Sequence, residues 1–218
     1  MVYVILIIII IYFSIMTTKS IAILSLDIET NGPDLLKHEI ISIGYCVGDL
    51  VGNVINKERI NFKYDTVFEP DCWKFWSKYL SVLDKLKEGQ LTPYDAINKF
   101  IIMVDELDTK YDLRIITDNP SFDISFINYY LNKYLGRLPI TYIHGIGHKY
   151  RCIFDTDSFA RGALHQNYAD PWTSDSKVTE TFGLTLDASH SHFPDDDAEY
   201  IYKLHIALVN RLQVISAK

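Results

Sequence analysis

Asp27 and Glu29 stand two residues apart in Asp27-Ile28-Glu29-Thr30-Asn31-Gly32, directly after the apolar run Ile21 to Leu26. If that run is a strand, its alternation turns both carboxylates to one face. Two carboxylates held that way repel each other and invite a cation between them. Hard oxygen ligands in this arrangement suit Mg²⁺ or Mn²⁺. A third acid, Asp123, closes Asn119-Pro120-Ser121-Phe122-Asp123, and Asp195, Asp196 and Asp197 follow His192. These are the acids, and the histidine beside them, whose placement asks for an explanation.

Each group also has an ordinary structural explanation. A lone Asp-x-Glu can cap a turn at a strand end. Asp123 would sit in the first turn of a helix, where the macrodipole favours an acid. Pro194 followed by three aspartates is a common way to start a helix. That pattern leaves Asp197, immediately before the small Ala198, without a reason.

The elements that must position these residues can be read in outline. Ile21 to Leu26 reads as a buried strand, Glu39 to Val47 as a second, and Val51 to Tyr64 as a third, in an antiparallel meander. From Asp71 the spacing of Trp73, Phe75, Trp76, Tyr79, Leu80, Leu83 and Leu86 is helical and ends at Gly89. Thr92-Pro93 opens a helix to about Leu107, with a hydroxyl cap and proline at its first position. Leu113 to Thr117 predicts a strand, and Ser121 to Leu135 a helix stopped by Gly136. Phe154 to Leu164 is expected to be helical, His165 to His192 irregular, and Asp195 to about Val214 an amphipathic helix. The order β-β-β-α-α-β-α-α-α predicts one mixed α/β domain.

Composition narrows the function. The 218 residues are 48% hydrophobic and 22% charged, with a formal charge of −7, which argues against a protein that coats nucleic acid. Cys46, Cys72 and Cys152 are odd in number and far apart, without a paired motif, which fits a reducing compartment. Met1 to Met16 carries no charge, and Ser14 is its only polar residue. As a helix it spans about 24 Å, short of the roughly 30 Å hydrocarbon core. It lacks the basic start and small-residue cleavage site of a signal peptide. The division expected is an apolar leader over 1–16, either a membrane anchor, a start-site artefact or an extra strand, and a folded domain over 17–218. If the leader inserts, Lys19 favours a cytoplasmic domain. The expected location is therefore cytoplasm or nucleus, with membrane tethering as the variant.

In this order and on these elements, the motifs resemble the DEDDh branch of the DnaQ-like 3′–5′ exonucleases. The matches are Asp27-Ile28-Glu29-Thr30-Asn31-Gly32, then Phe122-Asp123 with Asn119 four residues earlier, then His192 with Asp197 and Ala198. The resemblance runs from Ile21 to about Val209. Trp73-Lys74-Phe75-Trp76 followed by Leu83 is similar to the small stand-alone exoribonuclease-like group. Pro194 departs from the family, which usually has a small residue there, and it stiffens the turn that bears the histidine. His190, five residues before Asp195, competes with His192. His192 is preferred because Asp197 enters the helix body.

The resemblance implies an RNase H-like fold with a mixed five-stranded sheet flanked by helices. It implies two Mg²⁺ or Mn²⁺ ions as cofactors, about 4 Å apart, and release of nucleoside monophosphates from a DNA or RNA 3′ end. Asp27 would bridge the ions, Glu29 and Asp197 would complete the one holding the attacking water, Asp123 would hold the other, and His192 would take the proton. Two such ions would bring the charge of −7 to about −3. Thr30, Asn31, Gly32, Asn119 and Phe122 would receive the terminal nucleotide. Lys149, Arg151 and Arg161 are candidate phosphate contacts, with solvated surface as their ordinary alternative. The partner expected is a single-stranded 3′ end; membrane contact through residues 1–16 and a homodimer stay open. Two other readings remain: an oligoribonuclease-like phosphodiesterase for very short substrates, and a non-catalytic nucleic-acid-binding module on the same fold.

Overall fold

The computed structural model describes residues 19–65, 67–143, 149–164, 175–182 and 191–216. The leader over 1–16 and His190 fall outside them. Strand β1 (Ile21–Thr30) is flanked by β2 (Ile40–Gly48) and β4 (Asp112–Thr117). β3 (Val54–Asn61) and β7 (Ile153–Asp155) form the edges, giving the order β3-β2-β1-β4-β7. β1 pairs antiparallel with β2 and parallel with β4, so the sheet is mixed. A short pair, β5 (Tyr142–Ile143) and β6 (Lys149–Tyr150), stands apart. Among the described residues there are seven helices: α1 (Pro70–Trp76), α2 (Leu80–Leu86), α3 (Pro93–Lys110), α4 (Pro120–Leu135), α5 (Thr156–Ala163), α6 (Asp175–Phe182) and α7 (Pro194–Ser216).

Alternation along β1 separates two layers. Ala22, Leu24, Leu26 and Ile28 join Phe100, Ile101, Phe126 and Ile127 in the core beneath α3 and α4. Ile23 faces the other way, with Cys46, Ile116, Ala198, Ile201 and Tyr202 under α7. Asp27 and Glu29 share the parity of Ile23, so they emerge on the α7 face while Ile28 anchors the strand from behind. The register Asp27↔Gly44↔Arg59 and Glu29↔Ser42↔Asn61 carries that face across to the edge strand.

Three expectations need correction. The segment from Asp71 is two helices, because Ser77 to Tyr79 form a turn in which the Ser77 and Tyr79 amides bond back to the Trp73 and Trp76 carbonyls. Residues Ile153–Asp155 are the fifth sheet strand, paired parallel with β4, and only Thr156–Ala163 is helical. Within the stretch expected to be irregular, Asp175–Phe182 is a helix. The remaining strands and helices fall where the spacing placed them, and α4 ends as expected, with Gly136 in the left-handed region at φ 59°. Cys46, Cys72 and Cys152 are free thiols. Among the described residues no helix is long and apolar enough to cross a membrane.

Candidate active site

Three elements bring the acids together: the end of β1, the β4–α4 junction and the turn into α7. Asp27 and Glu29 project from the strand about 7 Å apart along its axis, and both keep partial solvent contact. Asp123 is buried at 2% exposure in the first turn of α4. Its carboxylate accepts hydrogen bonds from the Thr117 hydroxyl and from the Asn119 and Ile28 amides. The Ile28 bond ties α4 directly to the strand between Asp27 and Glu29.

Burial and charge repulsion raise the pKa of the acids from β1 and α4. Burial pushes the Asp27 carboxyl well above its usual range, and Glu29, Asp123, Asp118 and Asp197 push it further. Glu29 is raised by burial, then by Asp197, Asp123 and Asp118. Asp123 is raised to about 8 by burial and Asp118, although its three hydrogen bonds oppose the shift. Among the described residues no lysine or arginine pairs with Asp27, Glu29 or Asp123.

Asp118 escaped the sequence analysis, yet it acts on all three of these acids. It directly follows β4, in the bend before α4, and by count has the parity of Ile116, which faces α7. The available signal was that parity: Thr117-Asp118 follows a buried strand parallel to β1, as Asp27 follows its own apolar run.

The α7 turn supplies the third side. One ligand atom from each of Glu29, His192 and Asp197 lies within 4.8 Å of the others, a spacing that fits a metal ion. Its neighbours explain why Asp197 is the aspartate in the site. Asp195 pairs with Arg59 at 3.1 Å, and Asp196 pairs with Lys57 at 2.7 Å, both on β3. Asp197 turns instead toward β1 and accepts the Ser191 amide at 3.1 Å. The structure brings His192 and Asp197 together beside Glu29, while the competing His190 lies outside the described residues.

The turn reaches the sheet because residue 44 is glycine. A Cβ at Gly44 would lie 1.9 Å from the Pro194 carbonyl carbon and 2.1 Å from the Asp195 nitrogen. The backbone at Pro194 therefore rests on β2 between Asp27 and Arg59. His192 has φ 57°, a left-handed conformation that costs about 1 kcal/mol in a residue with a side chain. Its ring packs on Tyr79 at 4.2 Å and on Phe75 at 4.9 Å. Trp76, 1% exposed, donates its indole N–H to the Thr30 carbonyl at 3.2 Å, while Trp73 is 47% exposed. The aromatic stretch thus divides into a core residue that fixes the end of β1 and a shelf that seats the histidine.

The substrate-binding candidates divide as well. Thr30 and Gly32 form the turn after β1, with the Thr30 hydroxyl donating to the Gly32 carbonyl at 3.0 Å. Asn31 is 2% exposed; its amide donates to the Asp65 and Val67 carbonyls and its side-chain oxygen accepts the Glu39 amide. Its side chain shapes this turn from within. Asn119 is exposed at the start of α4, and Phe122 packs on Phe126 at 5.0 Å. Arg151 is neither solvated nor available to a phosphate: it is 9% exposed, pairs with Asp108 and donates to the Ile140 carbonyl at 3.1 Å. Lys149 lies in β6 and Arg161 in α5.

Known proteins are similar to this chain in sequence or in fold to different degrees. The Escherichia coli 3′–5′ DNA exonuclease Cap18 is 30% identical over 129 residues, spanning 57% of this chain and 64% of that protein. The fold is similar to E. coli Exonuclease I in complex with a dT13 oligonucleotide, with TM-score 0.62 and 16% identity over 90% of this chain and 42% of the other. It is also similar to the nuclease domain of 3′hExo, a DEDDh family member bound to rAMP, with TM-score 0.59 and 15% identity over 89% and 94%. The sequence model of the exonuclease family RNase_T matches residues 24–205, a span that holds all five residues of the acid and histidine set, and the chain belongs to that family.

Proposed function

We propose that the protein is a 3′–5′ exonuclease that removes nucleoside monophosphates from a single-stranded 3′ end with two divalent ions. The observation that carries this reading is the convergence of Asp27, Glu29, Asp123, His192 and Asp197 on one site, in which Asp27, Glu29 and Asp123 have no lysine or arginine partner among the described residues and are raised by burial and repulsion. Hard carboxylate oxygens with mutually raised pKa values fit Mg²⁺ or Mn²⁺. Asp27 and Glu29 would hold ions from the strand, Asp123 from α4 and Asp197 from α7, with Asp118 adding negative charge behind them. When bound, such ions neutralise the scissile phosphate and make water nucleophilic near neutral pH.

The remaining chemistry belongs to the chain. His192 takes the proton from the attacking water, a contribution of about 10²- to 10⁴-fold. The Phe75 and Tyr79 rings hold its imidazole beside Glu29 and Asp197. The Thr30–Gly32 turn, with Asn119 and Phe122 opposite, receives the terminal nucleotide, and Asn31 keeps that turn in shape. The leader over 1–16 takes no part, so residues 17–218 constitute the catalytic domain.

The relative Cap18 is a DNA exonuclease, which makes DNA the first substrate to test and RNA its matched control. A 5′-labelled single strand incubated with Mg²⁺ or Mn²⁺ should shorten one nucleotide at a time from its 3′ end. His192→Ala should slow that shortening by about 10²-fold or more. Absence of shortening of DNA and RNA with either metal would refute the proposal. Preference for di- and trinucleotides would redirect it to the oligoribonuclease-like reading.

A further inference from the structure

We propose that Lys85, with Arg59, forms a phosphate-binding track for the strand upstream of the scissile bond; this rests on the exonuclease reading above. Four observations converge on it. Arg59 and Lys85 both sit over the ring of Phe193, at 4.4 and 5.6 Å from its centroid. Phe193 directly follows His192, so the two cations border the proposed catalytic turn. Arg59 also lies in the same cross-strand row as Asp27, two strands away, on the order of 10 Å. Finally, an open groove of about 370 Å³ begins at these cations.

The groove has a chemistry of its own. Its floor is Ile60 and Leu91, and its walls carry Arg59, Lys85 and Lys99 together with Glu58 and Glu88. Lys99 is matched by Glu58, and Arg59 by Asp195. Lys85 is exposed, and among the described residues no carboxylate lies within ion-pair distance of it; its contact is the Phe193 ring. Two cations gathered on one ring repel each other, and a bridging anion relieves that cost. The acidic site next door repels a polyanion, so a strand entering it gains from positive charge one or two nucleotides upstream. The occupant with this chemistry is a phosphodiester backbone, its phosphates over Lys85 and Arg59 and its sugars and bases along the apolar floor.

The test compares substrates that do and do not reach the groove. Oligothymidylates of two and ten nucleotides, and the matching oligouridylates, are hydrolysed by wild type, Lys85→Glu, Lys85→Arg and Lys87→Glu. Lys87 directly follows the helix that carries Lys85, does not line the groove, and pairs with Asp84. For the ten-nucleotide strand, Lys85→Glu should raise KM about 10-fold with kcat unchanged and lower the salt dependence by about 0.7 in log–log slope. The dinucleotide should be unaffected, Lys85→Arg should behave as wild type, and Lys87→Glu should have little effect. Unchanged KM for the longer strand would overturn the inference, as would equal losses on both lengths or an equal effect of Lys87→Glu. A wild-type protein that shortens both lengths while Lys85→Glu matches it refutes the track alone. Inactivity of wild type on every strand refutes the exonuclease reading and the track with it.

Discussion

Two groups of carboxylates lie on one face of the sheet, and they are treated oppositely. Asp195, Asp196 and Glu199 at the start of α7 meet Arg59 and Lys57 from β3, and Lys203 adds a second cation to Glu199. Asp27, Glu29 and Asp123 meet no such partner among the described residues, and burial and repulsion raise all three. The same strand pair could have delivered a cation to Asp27, since Arg59 occupies its row. It delivers that cation to Asp195 instead. Matched charges fasten the helix to the sheet edge, while the unmatched ones are the set proposed to hold metal. The difference separates a structural acid from a functional one where composition alone cannot.

Removing members of each group should break the comparison if it is wrong. Asp27→Ala should abolish 3′ shortening by roughly 10³-fold or more. In EDTA the same variant should melt at an equal or higher temperature than wild type, by about 2 °C, because it relieves repulsion. A matching loss of fold would mean that Asp27 is a structural acid after all.

Gly44→Ala tests whether the turn must rest on the sheet between the two groups. Its new Cβ would collide with backbone at Pro194 and Asp195, displacing His192 and Asp197 together. Activity should fall about 10²-fold, the usual cost of misplacing reacting groups by an ångström. Circular dichroism should still show a folded protein.

The pH dependence sharpens the contrast. Asp123 has its carboxyl raised from an ordinary 3.8 to about 8 in the folded state, and Asp27 and Glu29 move in the same direction. The folded protein therefore binds more protons than the unfolded chain between these values. Stability contributed by this cluster is complete below pH 3.8 and is lost as pH rises toward about 8. Over the upper part of that window, metal-free melting temperature should fall as pH rises, and saturating Mn²⁺ should flatten the trend.

Asp195→Asn removes a matched charge and should do least. The pair with Arg59 is partly exposed, so the expected loss is about 0.5 kcal/mol, read from a urea melt. Activity should change no more than a few-fold. A loss comparable to that of Asp27→Ala would erase the distinction between the two groups.

Much of the site was legible because its acids violate local expectation. Asp27 and Glu29 end a strand that is otherwise apolar, and Asp197 sits where a helix start alone does not require it. Other features have no local signature. β5 and β6 are two residues each and β7 three, too short for a period to register. Phe154 in β7 is exposed and was absorbed into the helical pattern that follows it. The break between α1 and α2 falls inside a continuous helical spacing of apolar residues, because both helices pack against the same cluster through Trp76, Leu83 and Leu86. Arg151 looked like surface, and only the fold shows that Asp108 and the Ile140 carbonyl enclose it. Gly44 is one small residue in an apolar strand until the turn from α7 is placed on it. Long-range packing decides these positions, whereas the candidate acid and histidine pattern is written along the chain.

The most direct test is a calorimetric titration of Mn²⁺ at pH 7.5 into wild type, Asp27→Asn and Asp195→Asn. Wild type and Asp195→Asn should each bind two ions, and Asp27→Asn should lose at least one. Equal Mn²⁺ binding by wild type and Asp27→Asn would contradict it.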